Sequence, residues 1–230
     1  MSFSFSKKLA GIAGLLYLAV ILFGVFAEVY VRGELLVPGN AAETITRLQA
    51  DPGWFRLGFV SDLLMITAFF LLPLPLYRLL RPIQRELAAT MVLCVLVSVA
   101  VMCANMLNHF AILLVLDPMN APFAPEQTQS LVRLFAELHK NGYRIAQIFF
   151  GLWLLPLGIL SWRSGFVPRW IAISLVVACF SFLLDFFLFF LLPGYSAETS
   201  SWVTLPTVIG EFSFCGWLLI QGISYIPGKK

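Results

Sequence analysis

The stretch from Leu87 to Leu116 reads LAATMVLCVLVSVAVMCANMLNHFAILLVL and contains no aspartate, glutamate, lysine or arginine. An apolar run of about 20 residues or more is typical of a helix that crosses a membrane. Further runs of this kind predict five more spans, at residues 9–31, 56–79, 142–162, 169–192 and 202–225. The sequence therefore predicts an all-α, polytopic membrane protein with six transmembrane helices.

The composition agrees with this class. The chain has 230 residues, of which 60% are hydrophobic and 12% are charged. An ordinary soluble domain has about 25% charged residues. A membrane β-barrel is excluded because its strands would alternate apolar and polar residues. We expect one transmembrane domain that covers residues 1–230.

The basic residues predict the orientation of the spans. Nine of the 15 lysines and arginines fall in four short segments that lie on one side of the predicted bundle: Lys7, Lys8, Arg78, Arg81, Arg85, Arg163, Arg169, Lys229 and Lys230. The positive-inside rule makes this side cytoplasmic, so we expect both termini inside. The first span also resembles a secretory signal, but its apolar run is long for one, and we expect an uncleaved anchor.

Two connections on the outer side carry helix signals. The segment 40–43 (NAAE) resembles a capping box and predicts a short helix through about Leu48. After Pro125, apolar residues recur at helical spacing, which predicts an amphipathic helix at about 126–139 on the outer membrane interface. We expect a break at 141–142 before the fourth span. The alternative is that this helix simply extends the fourth span into solvent.

Carboxylates inside apolar helices are the main indication of function. Glu28, Asp62, Asp185 and Glu211 lie within the predicted spans and Glu137 lies just above one, all toward the outer side. A carboxylate in hydrocarbon costs at least a few kcal/mol, so it faces a bundle interior, a partner or a water-filled cavity. These residues therefore predict a polar layer in the outer half of the bundle.

The third and fourth spans add polar and basic groups to this layer. The candidate ligand-binding residues are Glu28, Asp62, Asn105, His109, His139, Arg144, Asp185 and Glu211. We expect Asp62, His109, Arg144, Asp185 and Glu211 to converge on one cavity. Helical spacing also places Arg144 on one stripe with Lys140 and Gln147.

Three hypotheses account for the polar layer. In the first, the charges hold helices together in a structural or accessory subunit. In the second, they line a cavity that binds a small polar or cationic ligand or a lipid headgroup. In the third, they form a metal site or a metal-dependent active site, with ligands from His109, His139, Asp62, Asp185 and Glu211. No His-Glu-x-x-His or Cys-x-x-Cys spacing exists, so such a site is assembled from separate helices around two histidines and two carboxylates. No other cofactor is predicted.

Several classes of function have no signal in the sequence. The net charge of +3 is explained by topology signals, so nucleic-acid binding is not predicted. Gly-rich phosphate loops and Gly-x-Ser-x-Gly are absent, which argues against an ATP-driven pump and a serine hydrolase. All four cysteines fall within spans and are expected to be reduced, structural side chains. Membrane lipid is the expected surrounding partner, and the oligomeric state stays open.

The chain resembles the bacterial membrane family named domain of unknown function 4386. The matching stretches are AG (10–11), GLLYL (14–18), FRLGFV (55–60), DL (62–63), LYRLLRP (76–82), FFGLWLLPLG (149–158), SGFVPR (164–169), EFSF (211–214), WLL (217–219) and Gly222. The resemblance implies a protein of the bacterial cytoplasmic (inner) membrane with this helical layout, and it implies no particular activity. Asp62, His139 and Glu211 fall inside or next to matching stretches, whereas Asp185 is not placed on the family pattern.

Overall fold

All regular secondary structure in the described part of the chain is helical. The computed structural model describes residues 6–117, 119 and 123–223. The α-helices are α1 (Lys7–Val25), α2 (Gly33–Leu35), α3 (Ala41–Ala50), α4 (Pro52–Leu71), α5 (Pro73–Leu80), α6 (Arg85–Leu116), α7 (Pro125–Leu152), α8 (Leu154–Ser164), α9 (Arg169–Leu191) and α10 (Ala197–Ile223). A π-helical segment, Phe26–Arg32, joins α1 to α2. The all-α prediction is confirmed for these residues.

Six helical stretches in the described residues are long and apolar enough to cross a membrane. We call them spans 1 to 6 in chain order: Lys7–Leu35, Pro52–Leu80, Arg85–Leu116, Pro125–Ser164, Arg169–Leu191 and Ala197–Ile223. The predicted number of membrane-crossing helices is therefore confirmed, and the chain is a multi-pass membrane protein of helical type.

The chain forms two compact units. Among the described residues, those of the first unit lie within the ranges 1–18, 68–99 and 145–230, and those of the second lie within 19–67 and 100–144. Spans 1 to 4 each contribute residues to both units, whereas spans 5 and 6 belong to the first. The assignment of the whole chain to one domain stays a prediction.

Glycines bring two helices of the first unit into close contact. A Cβ atom added at Gly11 of α1 would lie 2.9 Å from the Cα atom of Gly222 of α10. One turn further along α1, a Cβ atom at Gly14 would lie 2.8 Å from the backbone nitrogen of Leu219. Small residues allow helix backbones in a membrane to approach in this way. The contact between α1 and α10 therefore depends on the absence of side chains.

The second unit has an apolar core next to its polar residues. Buried side chains from spans 1 to 4 and from α3 form it: Val31, Leu35, Leu48, Phe55, Ile112, Leu113, Val115 and Val132. The predicted short helix and its N-cap are confirmed, because the Asn40 side chain accepts a hydrogen bond from the Glu43 amide at 3.0 Å at the start of α3. The second bond of a capping box is absent, since the Asn40 backbone N–H donates to the Val37 carbonyl. This cap fixes the start of the short helix that places Leu48 in the core.

The predicted break at Asn141–Gly142 is wrong. Helix α7 runs without interruption from Pro125 to Leu152. Asn141 donates its side-chain NH₂ to the carbonyl of Glu137 at 2.8 Å, within the same helix. A Cβ atom at Gly142 would overlap the Asn105 side chain. The glycine thus serves close packing against α6 rather than a helix end, and the interfacial position of 126–139 stays a prediction.

The glycine contact predicts a difference between two substitutions on α10. Gly222→Ala should destabilise the protein by about 1–3 kcal/mol, because the new methyl group overlaps Gly11 and forces the helices apart. Gly216→Ala is the matched control, since nothing lies within 4 Å of its added Cβ atom. Thermal unfolding in mild detergent should show a lower midpoint for Gly222→Ala only. Equal midpoints for the two variants would contradict the packing described above.

Candidate functional site

A buried cluster of three potential metal ligands lies in the second unit. It consists of Asp62 from span 2, His109 from span 3 and His139 from span 4. One oxygen or nitrogen atom from each side chain lies within 4.8 Å of the others. The three residues are 1%, 1% and 6% exposed. Three of the predicted candidate residues are therefore brought together from separate helices.

Aromatic packing on α4 positions His109. Phe55, Phe59 and Asp62 follow one another at helical spacing, so they share one face of α4. The imidazole of His109 stacks on the Phe55 ring, with centroids 4.2 Å apart, and lies 5.6 Å from the Phe59 ring. Its Nδ1 atom is 4.0 Å from an oxygen of Asp62. The face that carries the carboxylate therefore also fixes the plane of the ring.

Arg32 is the charged partner of Asp62. Its Nη1 atom donates to Asp62 Oδ2, and its Nη2 atom lies 3.3 Å from Asp62 Oδ1. The Nε atom of the same guanidinium donates to Glu28 at 2.7 Å. Arg32 is buried, at 7% exposure, whereas the Glu28 side chain is 67% exposed. One guanidinium thus joins a buried and an exposed carboxylate.

Asn105 holds His139 in place from α6. The Asn105 side-chain NH₂ donates to the backbone carbonyl of His139 at 2.9 Å. In return, the Nδ1 atom of His139 lies 3.4 Å from the backbone carbonyl of Asn105. A carbonyl oxygen only accepts, so the proton of this bond belongs to Nδ1 of His139 and the Nε2 atom keeps a lone pair. Asn105 is itself fixed by a 3.2 Å bond from Asn108.

One polar atom of the cluster lacks a partner. The Nε2 atom of His109 is buried and has no hydrogen-bond partner among the described residues. Its ring is perpendicular to that of His139, with centroids 5.2 Å apart. Buried polar atoms are almost always satisfied, so an exception requires an explanation. The nitrogen of this ring that lies 4.0 Å from Asp62 is the other one, Nδ1.

Two further candidate carboxylates, Asp185 and Glu211, have partners in the first unit. Asp185 accepts hydrogen bonds from Gln147 at 2.6 Å and from Tyr195 at 2.7 Å. Glu211 accepts a hydrogen bond from the buried Tyr17 at 3.1 Å. Arg144 is half-buried and belongs to the second unit. That Arg144, Asp185 and Glu211 line one cavity with Asp62 and His109 stays a prediction.

Arg32 is the one principal residue of the cluster that the sequence analysis misses. The predicted first span ends at Val31, one residue before Arg32, which is not among the candidate residues. The structure continues the helix through the π-helical segment to Leu35. Glu28 and Arg32 are four residues apart, and this spacing is the signal that would have indicated an ion pair on one helix face.

A family model decides the relationship of the chain to known proteins. The model described as "Domain of unknown function (DUF4386)" matches residues 12–222. The chain belongs to the DUF4386 family. The resemblance noted in the sequence is thereby confirmed, and the match includes every residue of the cluster.

A curated relative of this DUF4386 protein comes from Archaeoglobus fulgidus and is named "Uncharacterized protein". It is 35% identical over 78 residues, which make up 34% of this chain and 44% of the relative. The match therefore covers less than half the length of that protein. No solved structure gives a significant match to the chain.

The ion pair of this DUF4386 protein predicts a large loss of stability on Asp62→Asn. Removing the negative charge leaves Arg32 buried with only the exposed Glu28, and breaking a buried pair in this way costs about 3–5 kcal/mol. Thermal unfolding in detergent with a metal chelator should detect the loss. Glu43→Gln is the control, because it removes an exposed helical pair with Arg47 worth only about 0.3–0.5 kcal/mol. Similar small shifts for both variants would refute the importance of the Asp62 pair.

Proposed function

We propose that this chain is a protein of the bacterial cytoplasmic membrane that binds a divalent transition-metal ion through Asp62, His109 and His139. The observation that carries the proposal is the approach of these three side chains within 4.8 Å of one another, from three spans and in a buried position. The metal ion is then the small cationic ligand that the acidic layer predicts. Catalysis at this ion is not part of the proposal.

The donor set suits a particular class of ion. Two imidazoles and one carboxylate bind Zn²⁺, Fe²⁺ and related ions, and three protein ligands leave further positions open. With metal–ligand bonds of about 2.0–2.2 Å, neighbouring ligand atoms lie roughly 3.0–3.5 Å apart. The side chains therefore move together by little more than about 1 Å when the ion binds, within the reach of side-chain rotation. The sequence analysis expected two carboxylates beside the two histidines, whereas the proposed site uses one, Asp62.

The surroundings of the histidines also support metal binding. A metal-bound histidine usually donates its other ring N–H to a carbonyl or carboxylate, which fixes the tautomer. The bond between His139 Nδ1 and the Asn105 carbonyl meets this requirement and presents Nε2 as the ligand. The Nδ1 atom of His109 lies 4.0 Å from an oxygen of Asp62 and is the ligand atom that this arrangement offers. Glu28 and Asp62 outnumber the single charge of Arg32, so the local charge also favours a cation.

A structural function is the second candidate, and one observation favours it. Arg32 contacts both oxygens of Asp62 and thereby ties span 1 to span 2 within the second unit. Under this alternative the cluster only holds helices together and binds no ion. The two candidates predict different metal contents for the purified protein.

Metal analysis of purified protein tests the proposal. After loading with Zn²⁺ and removal of excess ion, the wild type should retain about one equivalent, since structural binding free energies for this ion are large. His109→Ala and His139→Ala should each lose most of it, because two ligands hold the ion far less tightly than three. Native mass spectrometry and elemental analysis provide the measurement.

Asp185→Asn serves as the matched control for the metal experiment. It removes a buried carboxylate of span 5 that belongs to the first unit, and it should retain the ion like the wild type. Equal retention by the histidine variants, or absence of the ion from every sample, would rule out the proposed site in favour of the structural alternative.

The proposed orientation places both termini in the cytoplasm. It is supported by the nine basic residues named above, which flank one side of the predicted bundle. Large apolar side chains that are exposed in the structure, such as Leu107 at 72% and Leu191 at 75%, then contact membrane lipid.

Reporter fusions test this orientation. Alkaline phosphatase fused at the C-terminus should be inactive, and the same enzyme inserted after Ser196, between spans 5 and 6, should be active. The reason is that the positive-inside rule leaves the second position outside. Green fluorescent protein at the C-terminus is the control, and it should fluoresce. The reverse pattern of phosphatase activity would invert the proposed topology.

A further inference from the structure

We infer that Arg32 is the resident cation of Asp62 and that the metal ion binds by taking the place of its guanidinium, so that Arg32 selects which cations the site accepts. This inference rests on the proposed function. It states which class of cation the site accepts, and it makes Arg32 a displaceable partner of Asp62 rather than a fixed one.

The contacts of Asp62 place the guanidinium on the carboxylate that the ion would bind. Both of its oxygens lie against Arg32, Oδ2 toward Nη1 and Oδ1 toward Nη2. A metal ion that also binds His109 and His139 must approach the same carboxylate, and it brings two positive charges to a buried position next to the guanidinium. Two unshielded cations on one buried carboxylate repel each other strongly in a medium of low dielectric constant. Binding of the ion therefore favours a shift of the guanidinium away from Asp62.

Glu28 provides an acceptor for the displaced arginine. It already accepts a hydrogen bond from Arg32 Nε at 2.7 Å, and its side chain is 67% exposed. Arg32 thus keeps one carboxylate partner when Asp62 binds the ion, which lowers the cost of breaking the buried pair. Both residues lie in the π-helical segment Phe26–Arg32, whose hydrogen bonding continues from the Gly33 amide to the Glu28 carbonyl. Such irregular turns inside a helix recur at functional sites.

The exchange determines which ions bind. An incoming ion must compensate for the two contacts that Asp62 loses with Arg32. Mg²⁺ and Ca²⁺ prefer oxygen ligands and gain only the carboxylate at this site. Zn²⁺, Co²⁺ and Ni²⁺ gain two imidazole nitrogens in addition. The arginine therefore excludes hard cations and admits ions that bind histidine.

Zn²⁺ titrations in detergent, with a chelating dye as competitor, test this exchange. Arg32→Gln should bind Zn²⁺ roughly 5- to 150-fold more tightly than the wild type, which is the usual range of coupling between two ligands. Arg32→Lys keeps the positive charge and should stay closer to the wild type. Arg47→Gln is the matched control, because Arg47 also pairs with a glutamate four residues away, Glu43, but at an exposed position. It should leave the affinity unchanged.

A second variant tests the exchange in the opposite direction. Glu28→Gln removes the negative charge that would stabilise the displaced guanidinium, without touching a metal ligand, so Zn²⁺ affinity should fall. Glu43→Gln is its control and should have no effect. This pair of variants keeps Arg32 intact and decides the question if Arg32→Gln fails to fold.

The outcomes separate the inference from the proposed function. Zn²⁺ binding that requires His109 and His139, but is unchanged or weakened by Arg32→Gln, would overturn the exchange and leave the metal site standing. A weakening of about 10- to 100-fold would instead make Arg32 a supporting residue of the ligand Asp62. If folded Arg32→Gln protein is not obtained, an unchanged affinity of Glu28→Gln would overturn the exchange. Absence of histidine-dependent binding in every folded variant would remove both the inference and the proposed function.

Discussion

The buried ion pair between Arg32 and Asp62 is the interaction on which the polar part of the second unit depends. A guanidinium that is 7% exposed requires an anionic partner, and Asp62 supplies both of its oxygens. This requirement fixes the rotation of α4 about its axis. The same face of α4 then presents Phe55 to His109, so the pair also determines where the imidazole lies.

Apolar packing gives this charged cluster its strength. The side chains of Val31, Leu35 and Phe55 belong to one buried core in the unit that contains the ion pair. Interactions between charges are stronger in such surroundings, and an unsatisfied polar atom is correspondingly more costly. The chain therefore combines a precise ion pair with a histidine nitrogen that has no partner in the described residues. These two features have opposite effects on stability.

The sequence predicted those features that depend on the residues of a single helix. Apolar runs predicted the six membrane-crossing helices, and the segment 40–43 predicted the cap of α3. Prediction failed where two helices determine the outcome. Gly142 was interpreted as a helix break because hydropathy does not record that Asn105 of another helix packs against it. Arg32 was overlooked because its role depends on Asp62, 30 residues away, and on the rotation of both helices.

The unsatisfied nitrogen of His109 is a feature of the cluster that stability alone does not explain. A buried ion pair can often be replaced by apolar residues without loss of stability, so Arg32 and Asp62 alone say little about function. An imidazole nitrogen that is buried without a partner lowers the stability of the fold by about 1–3 kcal/mol. A cluster that only held helices together would be more stable with an apolar ring, such as phenylalanine, at position 109. The proposed function accounts for an imidazole at this position, because the ring nitrogen near Asp62, Nδ1, is the one that would bind the ion.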